Sequence, residues 1–127
     1  DTVVVDTVGE LVNFCQAGDV VFVGGSLVPT GGHNVLEPAA LGKLVCFGPH
    51  MDNFREDEKL LRSAGGGLSL SNPNMLQELL MQYCARPEAF ARCADRARNA
   101  VSACRGATEN NISRLRKLLT EAPGPVL

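Results

Sequence analysis

Val20-Val-Phe-Val23 is apolar without interruption and runs straight into Gly24-Gly25. A strand with one solvated face alternates polar and apolar residues, so an unbroken run this short belongs to a strand covered on both faces, as in a parallel sheet flanked by helices. The neighbouring segments keep to that plan. Thr2–Val5 is a short β-branched run, residues 6–10 read as a loop, and Leu11, Phe14 and Cys15 fall at helical spacing before Gly18-Asp19 interrupts. Leu44–Phe47 is a second apolar run, stopped by Gly48-Pro49. Phe54, Leu60 and Leu61 mark an acidic amphipathic helix that ends near Ala64–Gly67, and Leu68–Leu70 reads as the last strand. From Asn72-Pro73 onward the pattern is helical, over Met75–Tyr83, Pro87–Ala103 and Thr108–Leu119, with Gly106 expected to break the last two apart. Strands alternating with helices predict a Rossmann-like α/β fold: a parallel sheet of about four strands, helices on both faces, with Val20–Val23 at its centre. At 127 residues, with 45% hydrophobic and 20% charged content, one domain suffices. It is expected to span residues 1–121, leaving 122–127 as a tail.

Composition excludes several functions. The net charge of -2 offers no basic field for nucleic acid, and the 5% of aromatic residues are scattered, so a stacking platform for single strands is not supported. Charge is uneven, with 4 basic and 10 acidic side chains in residues 1–85 against 8 and 4 in residues 86–127. The positive end suits either solvated helix faces or an anionic lipid surface. Five cysteines without a C-x-x-C pair indicate neither a disulfide framework nor a zinc site, and a reducing cytoplasm is the simplest home. No apolar run approaches the length of a membrane span, so the chain itself is expected to be soluble. It opens directly on a strand with no initiator Met, which leads to the expectation that it is a piece of a longer protein.

Parallel sheets of this kind bind ligands beyond the carboxyl ends of their strands, where both glycine-rich loops fall. Gly24-Gly25-Ser26 follows one strand directly, and Gly31-Gly32-His33-Asn34 opens a short helix expected from about Asn34 to Leu41 and closed by Gly42. Glycines there let a ligand approach the backbone, and amides at a helix start suit a phosphate; the same glycines also suit tight turns alone. The loop is neither G-x-G-x-x-G nor a P-loop. Glu37, one turn into the helix, is placed to accept two hydrogen bonds from a vicinal diol such as ribose. His33 and Glu37 are four apart and are expected to share a face, though a capping role for His33 fits equally well. The second His of H-E-x-x-H is missing, so no metalloprotease motif is formed. His50, Asp52 and Asn53 fall at another strand end, with helix capping expected of Asp52 or Asn53. Asp6, Thr7 and Glu10 suit a cap for the first helix.

Taken together, Asp6-Thr-Val-Gly-Glu-Leu11, Phe22-Val-Gly-Gly-Ser-Leu27, Gly31-Gly-His-Asn-Val-Leu-Glu-Pro-Ala-Ala40, Phe47-Gly-Pro-His50 with Asn53-Phe54, and Arg105-Gly-Ala107 resemble the signature of the Kdo (3-deoxy-D-manno-octulosonate) transferases, glycosyltransferase family 30. The likeness runs from about residue 1 to 120. It implies the carboxy-terminal half of a GT-B glycosyltransferase that moves Kdo from CMP-Kdo to a lipid A precursor with inversion, in lipopolysaccharide biosynthesis, without an obligatory metal or other cofactor. Carried over by position, Gly24, Gly25 and Ser26 approach the donor phosphate, Gly31, Gly32, His33 and Asn34 offer helix-start donors, and Glu37 holds the ribose. The general base and acceptor surface are expected in the protein's own amino-terminal domain, through which the whole enzyme associates with the cytoplasmic face of the bacterial inner membrane. Alone, the chain is expected to bind CMP weakly or not at all and not to turn over. Two other readings fit the same residues: another GT-B enzyme acting on a UDP-sugar, as transferase or epimerase, and a nucleotide-binding module without catalysis.

Overall fold

The computed structural model describes residues 2–121. Three strands, β1 (Val20–Val23), β2 (Leu44–Phe47) and β3 (Gly67–Ser69), form one parallel sheet in that order. Val20 lies opposite Leu44 and Val45 opposite Gly67. Side chains alternate across a strand, so Val45 and Phe47 enter one face of the sheet while Leu44 and Cys46 enter the other, and all four are buried. The first face is covered by α2 (Leu36–Ala40), α3 (Arg55–Ser63) and α5 (Ala91–Glu121), through Ala39, Leu61, Ala97 and Val101. The second is covered by α4 (Pro73–Ala85) and the 3-10 turn Pro87–Phe90, through Leu76, Leu79, Tyr83 and Phe90. The remaining helix, α1 (Leu11–Ala17), lies beside α2. The layered α/β architecture with helices on both faces is as expected.

Five local expectations are corrected. Residues 2–5 form no strand, and Val3 and Val4 are 80% and 87% exposed. A strand needs a neighbour for its backbone N–H and C=O groups, and within the described chain nothing pairs with this run. The sheet therefore has three strands rather than about four, and β1 is an edge, with Val20–Phe22 only half-buried. The centre passes to β2. An apolar run reports coverage of a strand's faces and says nothing about its edges, which is why the pattern placed β1 wrongly.

Gly106 does not break the last helix, for α5 runs unbroken from Ala91 to Glu121. One interior glycine costs about 1 kcal/mol, less than ending a helix between good formers with no proline present. The Thr108 hydroxyl donates to the Cys104 carbonyl at 3.2 Å, spanning the glycine. Asp52 and Asn53 cap nothing: the 3-10 turn Asp52–Phe54 and α3 both start without a side-chain cap, and Asp52 pairs with Arg55 at 2.7 Å on the surface. At α1, Thr7 donates to the Glu10 carboxylate rather than capping a backbone amide.

The other ends follow local chemistry. Glu56, Asp57 and Glu58 occupy the first turn of α3, where the helix dipole favours negative charge. Asn72 accepts a hydrogen bond from the Met75 amide at 3.1 Å and Pro73 takes the first helical position, so α4 starts two residues before the expected Met75.

Candidate functional site

The three strands run in parallel, so their carboxyl ends share one edge of the sheet. The loop after β1 (24–35) and the loop after β2 (48–51) meet there. The first is closed on itself by the Gly32 amide donating to the Gly25 carbonyl at 2.9 Å and by the Thr30 hydroxyl donating to the same oxygen at 2.6 Å. The second is bound to the first through the His50 amide, which donates to the Ser26 carbonyl at 2.9 Å, and the Asn53 amide, which donates to the Gly31 carbonyl at 3.1 Å. The two glycine-bearing motifs are thus one constructed surface.

Gly24 is exposed, and a Cβ added to it would meet open space. Gly25 is half-buried beneath the imidazole of His33, whose Cδ2 and Nε2 lie 3.4 Å from where its Cβ would be. Gly31 and Gly32 are buried with φ of 96° and 73°, in the left-handed region that glycine alone adopts cheaply. A Cβ on Gly31 would overlap the Asn53 carboxamide, and one on Gly32 would overlap the Met51 sulfur. Their smallness therefore serves the packing of the two loops against each other. Ser26 is fully buried, and its hydroxyl donates to the Val23 carbonyl and accepts from the Gly48 amide at 2.8 Å. Its one proton is committed and the hydroxyl is wholly buried, so the side chain is not presented to a ligand.

His33, Asn34 and Glu37 are exposed. Asn34 Oδ1 accepts from the Leu36 amide at 2.8 Å, and its Nδ2 donates to Glu37 Oε1 at 3.2 Å. The carboxylate is tethered by one oxygen and keeps the other for a ligand. His33 and Glu37 do not pair. The helix begins only at Leu36, so the four-residue spacing does not operate at His33, which leans over Gly25 instead. With five residues, α2 has little dipole to offer, and the loop's own amides are the available donors: those of Gly31 and His33 have no protein acceptor among the described residues.

Glu37 also reaches toward α1, where Cys15 is buried. Burial pushes the Cys15 thiol up, the Glu37 charge adds to the effect and Lys43 opposes it. Thr30, Met51 and the Gly48–His50 backbone also shape this edge, the Thr30 hydroxyl being spent on the Gly25 carbonyl, and only the adjacency of the glycine motifs to strand ends hinted at them. Among the described residues no group of three His, Cys, Asp or Glu side chains is placed to hold a metal ion, and no helix is long and apolar enough to cross a membrane. An apolar hollow of about 720 Å³ runs along α4 between Pro73 and Ala85.

No family model matches the chain. It is 32% identical over 115 residues to the 3-deoxy-D-manno-octulosonic acid transferase of Bordetella pertussis, covering 91% of this chain and 27% of that protein. With the enzyme of the same description from Haemophilus influenzae it shares 33% over 115 residues, 90% of this chain and 27% of the relative. The chain thus spans about a quarter of the length of these curated relatives. Among solved structures, the C-terminal CMP-Kdo binding domain of WaaA from Acinetobacter baumannii superimposes with a TM-score of 0.72 at 31% identity, over 76% of this chain and 51% of that one.

Proposed function

Because this chain belongs to the family of the 3-deoxy-D-manno-octulosonic acid transferases, we propose that its glycine-rich sheet edge is the donor half of an active site that takes Kdo from CMP-Kdo. The likeness to a solved CMP-Kdo binding domain carries this reading, since it extends over three quarters of the chain. The phosphate of CMP lies against the loop after β1, with Gly24 and Gly25 allowing close approach and the amides of Gly31 and His33 donating to its oxygens. Glu37 receives the ribose hydroxyls on the oxygen that Asn34 leaves free. Ser26 and Gly32 serve as supports beneath this surface.

The whole enzyme transfers Kdo to a lipid A precursor in lipopolysaccharide biosynthesis. A carboxylate from its amino-terminal domain takes the proton of an acceptor hydroxyl, whose oxygen bonds to the anomeric carbon as the bond from that carbon to the CMP phosphate oxygen breaks. The departing electron pair rests on the phosphate, where amides already aimed at it stabilise the charge without having to reorganise. That amino-terminal part also brings the enzyme to the cytoplasmic face of the inner membrane.

Calorimetric titration of the complete gene product with CMP and with UMP tests the reading. Saturable CMP binding, tighter than UMP, is the expected result. Absence of CMP binding, or equal binding of UMP, would overturn it and return the chain to the wider class of nucleotide-sugar enzymes.

A further inference from the structure

Resting on the donor-site reading above, we infer that Ser26 is a positioning residue: its buried hydroxyl locks the loop after β1 to the loop after β2 and thereby sets the donor amides in place. Three hydrogen bonds converge on it. The hydroxyl donates to the Val23 carbonyl at the end of β1 and accepts from the Gly48 amide at 2.8 Å, just past the end of β2. The Ser26 carbonyl in turn accepts from the His50 amide at 2.9 Å. One fully buried residue therefore satisfies backbone groups at two adjacent strand ends. Buried amides and carbonyls left unpaired are costly, so this arrangement tolerates few alternatives.

The surroundings leave the tie no slack. A Cβ on Gly48 would collide with the Ser26 carbonyl, so the two backbones are as close as backbones can be. Farther along the same loops the contact continues, with Asn53 against Gly31 and Met51 against Gly32. The loop that presents Gly24, Gly25, Gly31 and His33 is thus held from below at Ser26 and from the side at Gly31 and Gly32. An amide aimed at a phosphate works only if its direction is fixed before the ligand arrives. Ser26 supplies that fixing without touching the donor.

Removing the tie from either loop has to produce the same defect. Ser26→Ala deletes the hydroxyl, and Gly48→Ala pushes the loops apart from the other side. In the complete gene product each variant is expected to weaken CMP binding on the order of tenfold, well below its own melting temperature, since a buried pair is lost. The effect is expected in donor KM more than in kcat at saturating donor. The double variant is expected to be little worse than the poorer single one, because both break one connection. Ser26→Cys, similar in volume and still a weak donor and acceptor, is expected to recover part of the loss.

Wild-type protein that fails to bind CMP sinks the donor-site reading itself. Wild-type binding with unchanged affinity in Ser26→Ala sinks this inference alone, as does strict additivity of the two substitutions. Should Gly48→Ala not fold, the amide spectrum of Ser26→Ala decides: shifts at Gly48, His50 and Gly31 support the tie, and shifts confined to residues 25–27 refute it.

Discussion

Glu37 and Ser26 differ in how much of their polar capacity remains free. Glu37 is exposed and holds one hydrogen bond, from Asn34, whereas Ser26 is buried with donor and acceptor both engaged. Glu37→Ala is therefore expected to weaken CMP binding by about 10- to 100-fold through lost bonds to a charged acceptor, with the melting temperature nearly unchanged. Calorimetry alongside thermal unfolding measures both, and an unaltered affinity would remove Glu37 from the ribose. Cys46 makes a separate prediction. Its thiol sits at the centre of the sheet, where burial pushes it up to about 12 from an ordinary 9.0. The folded chain keeps this thiol neutral while the unfolded chain ionises it, so its contribution is fully present below pH 9 and is lost as pH rises from 9 toward 12. An alkylating reagent at mildly alkaline pH is expected to label exposed Cys84 and Cys104 and to spare Cys46 until the protein unfolds. Early labelling of Cys46 would contradict the burial of β2.

Among the elements, β2 holds the structure together and α5 frames it. Both core clusters draw on β2, with Val45 and Phe47 in one and Leu44 and Cys46 in the other. Leu61 of α3 is fully buried against the first, so Leu61→Ala is expected to cost about 2–5 kcal/mol in denaturant unfolding. A loss under 1 kcal/mol would mean that α3 is not docked as described. The opposite sign is expected in α5. Gly106 lies within a continuous helix, and a Cβ there meets nothing, so Gly106→Ala is expected to stabilise by about 0.5–1 kcal/mol. A destabilising effect would restore the break expected from the sequence. That break was misread because a glycine among helix formers has two outcomes, a stop or a small penalty. Which one occurs depends on how firmly Ala97 and Val101, upstream, are anchored in the core.

Over the whole molecule, the apolar surface is distributed unevenly. Val3, Val4, Val8 and Leu11 are more than two-thirds exposed, and Leu118 and Leu119 leave a bare stripe at the far end of α5. The outer edge of β1 is unpaired among the described residues. Exposed apolar side chains and a free strand edge each favour association, so the 127-residue chain on its own is expected to gain mass as concentration rises in sedimentation experiments. A strict monomer throughout would contradict this.

Much of this was open to reading in the linear order of residues. Apolar runs closed by glycines are short-range signals, and they were enough to determine a parallel α/β sheet, helices on both faces and loops gathered at its carboxyl edge. Three things depended on the folded chain. Whether β1 has a neighbour is a matter of pairing, to which a run of valines is indifferent. Whether His33 joins Glu37 turned on where α2 begins, and a start at Leu36 separates them. The division of labour at the site, with Ser26 beneath and Glu37 facing outward, arose from contacts between loops more than twenty residues apart, which no local pattern encodes.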